Sequence, residues 1–435
     1  MKRDGPPNKF FIPAEKIETK VKETELWNNL HSKSWCPVPF NTISWHPSGV
    51  VSRCMMSDDD MGTHHDSTEM QDLRKNMLAG KWDTFGCTNC LTKEKQGARS
   101  QRMNWLHHDF REGLGNPEPY NNPKLLGNDI SHLFVNFSNV CNFKCRMCSS
   151  NYSNSLIPEA KHMEPLFPRE YRKVATSNPK NFNNINEYLE ANPEVLKGIR
   201  SIWMTGGEPF MTEDPYRLME LIEEHGHPEL IKMVVTTNGS RLDVERLDAF
   251  KKLKKLTLDI SIDAVGPMFE YMRSNGVFTW SEMEKKIGQL KVFYEQNKAK
   301  EKRDDWFSFQ INSSYQAFNY DNMPEFFQFI HDMGCDSNVR LVIFPEHLRV
   351  GNLPDEYKKE ALKQMDMIEV RYGNRNQHNI KTLDDMRKAI HKKDQKLEVF
   401  KTLVKEQDKF RGTYLYDYHP HLAQIIYGDI QPRLF

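Results

Sequence analysis

The 435-residue chain contains no run of eighteen apolar residues, which excludes an ordinary membrane-spanning helix. It also lacks an excess of either charge. Sixty Lys and Arg balance sixty Asp and Glu, so no overall field favours nucleic acid, membrane or acidic partners. The opening "MKRDGPPNKFF" has no apolar stretch of the secretory type. Neither an internal repeat nor a low-complexity tract is present. The basic runs at 251–255 and 298–303 read as solvated helix faces. These absences predict a cytoplasmic protein, and 435 residues are enough for two or three domains. In that compartment thiols stay reduced, so grouped cysteines point to metal or catalysis rather than disulfides.

Cysteine is scarce, eight in all, but it is grouped. Cys36, Cys54, Cys87 and Cys90 form one set, and Cys141, Cys145 and Cys148 a second, in "CNFKCRMC". Cys335 follows a predicted helix and reads as a small buried apolar residue. Three clustered thiolates can hold three irons of a [4Fe–4S] cube and leave the fourth open to a small ligand bearing an amine and a carboxylate. A zinc site with a distant fourth ligand is the alternative. The first set offers four soft ligands, which suit zinc or an iron–sulfur cluster, and spacing alone favours structural zinc.

After residue 130 the pattern becomes α/β. Apolar, β-branched runs at 132–138, 201–206, 233–239, 256–263, 306–314 and 339–344 alternate with amphipathic helical stretches. Six such units predict a parallel sheet under helices, two short of a full eight-stranded barrel, hence an open, partial one. Before it lie a segment 1–35 with a short helix at "ETELWNNL", a cysteine-rich α+β domain 36–95 with a hairpin turning at "PSG", and a linker helix and loop 96–130. The core runs 131–350, and a helical extension with one long helix over 382–410 fills 351–435. The polar motifs "GGEPF", "TNG", "SIDA" and "NSSYQ" each close a strand, at the carboxyl edge where such sheets gather ligands.

In their order and spacing, "CNFKCRMC", "TGGEPF", "TTNG", "SIDA" and "YMRSNG" resemble the motifs of radical S-adenosylmethionine (radical SAM) enzymes. The resemblance implies a partial (β/α)6 TIM-type barrel in which a reduced [4Fe–4S] cluster cleaves S-adenosylmethionine to a 5′-deoxyadenosyl radical. It implies that Cys141, Cys145 and Cys148 ligate the cluster and that Gly206, Gly207 and Glu208 meet the cofactor's amino group. Ser261 and Arg273 would hold its carboxylate, and Asn238 and Asn312 would reach the ribose. Met147 would pack on adenine where the family usually has an aromatic residue.

The stretch 36–95 resembles a twitch or SPASM-type extension, which carries auxiliary [4Fe–4S] clusters, although here it precedes the barrel. Its four cysteines match one auxiliary cluster, used for electron transfer, and shift that site from zinc to iron–sulfur. The partners implied are an external low-potential electron donor and a peptide or protein side chain as substrate. A small-molecule sugar, nucleotide or cofactor precursor is the second choice. An electron carrier or scaffold without radical chemistry is the reading of another class, against which the later motifs speak. The histidines at 64–65, 107–108 and in "YHPHL" receive no role, and segments 149–183 and 380–435 are expected to line the substrate entrance.

Overall fold

The computed structural model describes residues 36–57, 59–79, 81, 87–95, 100–105, 130–171, 184–300, 306–372 and 377–428. The helix predicted at 23–30, the linker 116–124, the histidine pair 107–108 and the end of the insertion, 172–183, lie outside them. The chain divides into two compact units, 1–46 with 50–133, and 47–49 with 134–435.

In the first unit, strands β1 (Thr42–Trp45) and β2 (Val51–Ser52) form the predicted antiparallel hairpin. Helix Thr68–Leu78 follows, capped by the Ser67 hydroxyl, which accepts from the Met70 N–H. Buried Arg74 fastens it by donating to the carbonyl oxygens of Pro39 (2.7 Å) and His65 (2.8 Å). Helix Thr88–Lys95 carries Cys90, with Cys87 just before its first turn.

The second unit is built on strands β3 (His132–Asn136), β4 (Ser201–Thr205), β5 (Lys232–Thr237), β6 (Lys255–Ser261), β7 (Phe307–Tyr315) and β8 (Asp336–Leu341), neighbours in that order. The pairs from β4 to β8 are all parallel. Alternation sorts their side chains. Ile202, Met204, Met233, Val235, Leu256, Leu258, Ile260 and Ile311 are wholly buried on one face. The other face carries half-buried Trp203, Thr257, Ser261, Gln310 and Asn312 and buried Asp259. One apolar face under helices and one polar face is the section of an open, partial barrel. None of the described helices is long and apolar enough to cross a membrane.

Three predicted elements differ. The last strand starts at Asp336 rather than 339 and leaves Ile343 and Phe344 exposed. Its partner β7 ends at Tyr315, whose carbonyl takes the Val342 N–H. The helix expected after β5 is only the 3-10 turn Glu245–Phe250, whose three-residue repeat stacks buried Leu247 and Phe250. The long tail helix is two, Gln377–His391 and Leu397–Arg411. Between them Asp394 N–H donates to Gly351 O (3.2 Å) and Lys396 N–H to Asn352 Oδ1 (2.7 Å). Those tertiary bonds draw the backbone out of helical register.

Candidate cofactor site

The loop after β3 holds Cys141, Cys145 and Cys148, and its own polar side chains shape it. Ser153 Oγ donates to Phe143 O (2.8 Å), Ser155 Oγ to Cys141 O (2.6 Å), and the Cys148 N–H to Cys145 O (3.0 Å). Phe143, fully buried between the rings of Phe269 and Phe278, pins the middle of the loop. The three thiols gather at this loop. Burial raises the Cys141 thiol, and burial opposed by the Arg273 charge leaves Cys145 at about 11. Desolvation with the charges of Cys145 and Cys141 pushes Cys148 to about 12, although that residue reaches the surface. Metal binding must displace those protons, and the gathered thiols have the donor chemistry to do it.

The GGE loop after β4 lies directly on the cysteine loop. The Gly207 N–H donates to Ser138 O (3.0 Å) and the Glu208 N–H to Val140 O (2.8 Å). A Cβ on Gly207 would stand 2.2 Å from Val140 O, and Gly206 has φ of 118°, so both positions call for glycine. The buried Glu208 carboxylate accepts from Phe210 N–H (3.2 Å), Thr237 Oγ1 (2.5 Å) and Asn238 N–H (2.6 Å). It therefore braces the β4 loop to the β5 loop, and burial, against those donors, lifts its pKa to about 6. The Asn238 amide in turn donates to the Cys141 sulfur (3.8 Å) and to Asn142 Oδ1 (3.1 Å).

Past β6, the chain makes a π-turn, Glu270–Ser274, ending in Asn275 at positive φ, and this turn presents Arg273. Arg273 pairs with the buried Asp263 carboxylate, whose other oxygen accepts the Ser314 N–H (2.6 Å). Asp263, undecided from the sequence, is thus the residue that fixes Arg273. The Arg273 Nε is buried without an acceptor, and its charge acts on all three thiols. An acidic ligand atom beside the cysteines would complete it. Ser261 and Asn312 face each other across β6 and β7. Asn312 also bonds to Asp259, and Met147 is half-buried in the cysteine loop.

Sequence reasoning missed the underside of this loop. Arg146, between two of the cysteines, is fully buried. It pairs with Asp408 (2.7 Å), lies 3.6 Å over the Tyr271 ring and donates to Tyr271 O (3.1 Å). Asp408 sits on helix Leu397–Arg411, and Arg411 one turn later pairs with buried Glu159 (2.6 Å) and donates to Lys144 O (2.7 Å). The tail, expected at the substrate entrance, thus includes a helix that fastens the cysteine loop. An i, i+3 charged pair beside the apolar stripe Phe400, Leu403, Val404 was the available signal.

In the first unit, Cys36 and Cys54 are half-buried, and each is influenced by the charges of Cys87 and Cys90. Desolvation, with those neighbours adding, raises Cys54 to about 12. No three cysteine sulfurs among the described residues all lie within 4.8 Å of one another. The sulfur–sulfur edges of a tetrahedral zinc site are shorter, about 3.8 Å for Zn–S bonds of about 2.3 Å.

Residues 135–291 match the model of the Radical SAM superfamily. This part of the chain, about a third of it, is similar to a radical SAM domain. Among its relatives, GTP 3′,8-cyclase of Aquifex aeolicus is 26% identical over 232 residues, 53% of this chain and 60% of that protein. GTP 3′,8-cyclase of Pasteurella multocida is 28% identical over 134 residues, 31% of this chain and 33% of that one. The chain therefore spans between one-third and three-fifths of the length of these two relatives. A solved structure, native anSMEcpe with bound AdoMet, aligns at TM-score 0.38 and 18% identity over 56% of this chain and 63% of that one.

Proposed function

We propose that the chain reductively cleaves S-adenosylmethionine and removes a hydrogen atom from a small-molecule substrate. The observation that carries this is convergence. Three separate loops bring the three thiols, the Gly207–Glu208 backbone and an Arg273 with an unmet buried donor to one rim. A [4Fe–4S] cluster held by Cys141, Cys145 and Cys148 supplies, with an electron from an external low-potential donor, the reducing power that splits the sulfonium into methionine and a 5′-deoxyadenosyl radical.

The chain's own residues then bind and orient. Gly206 and Gly207 leave room for the amino-acid end, with Glu208 beneath them for its ammonium. Arg273 Nε donates to its carboxylate, helped by Ser261. Asn238 and Asn312 serve the ribose and Met147 the adenine. Relatives named for a reaction of GTP favour a small molecule over a peptide side chain. Cys36, Cys54, Cys87 and Cys90 hold an auxiliary [4Fe–4S] cluster that passes electrons. Four soft thiol donors in a stretch that resembles such an extension suit that cluster.

The test is anaerobic reconstitution followed by dithionite and S-adenosylmethionine. The wild type releases 5′-deoxyadenosine and Cys145→Ala releases none. An electron carrier would release none in either form, and that result would end the proposal.

A further inference from the structure

The two histidines of "YHPHL", without a role in the sequence, meet two carboxylates and a phenol in the folded chain. Asp321 lies in the turn after the 3-10 helix Ala317–Asn319, which follows β7. Glu360 is on helix Asp355–Tyr372, and His421 is in the first turn of helix Pro420–Tyr427. One oxygen of each carboxylate and one ring nitrogen of His421 all lie within 4.8 Å of one another. His421 Nδ1 is 3.5 Å from Glu360 Oε2. Ligands about 2.1 Å from a tetrahedral zinc are about 3.4 Å apart, so this pair already stands at a coordination spacing. The Tyr320 hydroxyl belongs to the same group, 3.1 Å from His421 Nδ1 and 3.4 Å from Glu360 Oε2.

Neighbouring side chains hold these donors in place. The Tyr357 ring stacks on the His421 imidazole with centroids 4.7 Å apart, and its hydroxyl donates to His421 O (3.3 Å). His419 Nδ1 accepts the Leu422 N–H (3.1 Å), so its Nε2 carries the proton donated to Asp321 Oδ1 (2.7 Å). Ligating carboxylates are commonly oriented by such an outer hydrogen bond. Among the described residues neither Asp321 nor Glu360 pairs with a lysine or arginine. Two carboxylates drawn together without a permanent cation leave a charge that a divalent ion balances. We propose that Asp321, Glu360 and His421 bind a zinc ion, with water in the fourth position. Imidazole and carboxylate without sulfur suit that ion, and it brings no redox chemistry. It acts as a clamp, joining the turn after β7 to helix Asp355–Tyr372 and to the end of the tail. The same turn abuts the cofactor rim: Asn322 Oδ1 accepts the Val265 N–H (2.7 Å), and the Asn319 amide donates to Asp263 O. No thiol is among the donors, so the site is independent of both cysteine groups and of the radical SAM reading.

The experiment uses the full, cluster-loaded chain, whose grouped thiols are then occupied, dialysed anaerobically against zinc chloride. Wild type retains about one zinc per chain, and its thermal midpoint rises with zinc. Glu360→Gln and His421→Ala, at half-buried and exposed positions, each weaken zinc by about a hundredfold or more. Both also lose the thermal rise, while iron content and far-ultraviolet dichroism stay as in wild type. His419→Asn keeps a capping side chain but not the hydrogen bond to Asp321, and weakens zinc by about tenfold. The proposal is overturned if wild type takes up no zinc. It is equally overturned if both ligand variants keep the zinc of wild type, because cysteine then holds it. Iron content and 5′-deoxyadenosine release report the cofactor site separately, so the two ideas fail by different signals.

Discussion

At Gly207 the missing side chain is the functional feature. With Val140 O 2.2 Å from where a Cβ would be, Gly207→Ala must push the GGE loop off the cysteine loop. It also breaks the two backbone bonds that hold Glu208 in place. The expected outcome is at least a tenfold fall in 5′-deoxyadenosine release, an effect of about 1.4 kcal/mol or more, with far-ultraviolet dichroism unchanged. A residue remote from the cofactor gives a pH signature. Burial, with Lys396 adding, depresses His347 from 6.5 to about 4. The folded state therefore keeps it neutral, while the unfolded chain takes up a proton below about 6.5. Its contribution is complete above that pH and is lost as the pH falls through about 4. Urea unfolding between pH 7 and 4 should show this slope in wild type and a flatter one in His347→Gln.

Among elements, helix Leu397–Arg411 does the least expected work. Its apolar stripe docks on the unit, and from the same side Asp408 and Arg411 reach the cysteine loop and its insertion. Asp408 also accepts from the Tyr271 hydroxyl (2.9 Å) and the Leu415 N–H (2.8 Å), so one carboxylate ties the π-turn, the loop and the tail together. Asp408→Ala leaves the Arg146 charge buried and unpaired, a loss of about 3–5 kcal/mol. Thermal unfolding of the cluster-loaded protein should register it, together with faster bleaching of the visible iron–sulfur absorbance. Removing both charges, in Arg146→Met with Asp408→Leu, should cost much less than the single change, and a double-mutant cycle measures the difference.

For the molecule as a whole, each of the two units carries its own group of cysteines. With a cluster in each, anaerobically prepared protein should hold about eight irons per chain. Cys87→Ser combined with Cys90→Ser should lower that to about four while cofactor cleavage by dithionite persists. Cys145→Ser should also lose about four irons but abolish cleavage. If the first double change removes one zinc and no iron, the N-terminal site is structural.

Short-range pattern was enough to announce the chemistry. Cysteine spacing, strand-closing glycines and alternating apolar runs are local properties, written within a few residues, and the sheet with its motif-bearing rim follows from them. Where strands stop, where the tail helix breaks and which charges meet were settled by contacts between distant segments. Arg146 finds Asp408 across 262 positions of chain, and Asp263 finds Arg273 through a turn whose shape no pattern encodes. A buried ion pair exists only once packing has excluded water from both partners, so neither residue alone carries a sign of it. The polar sheet face belongs to the same class: Trp203, Asp259 and Asn312 acquire a common side only when the four strands β4 to β7 take their register.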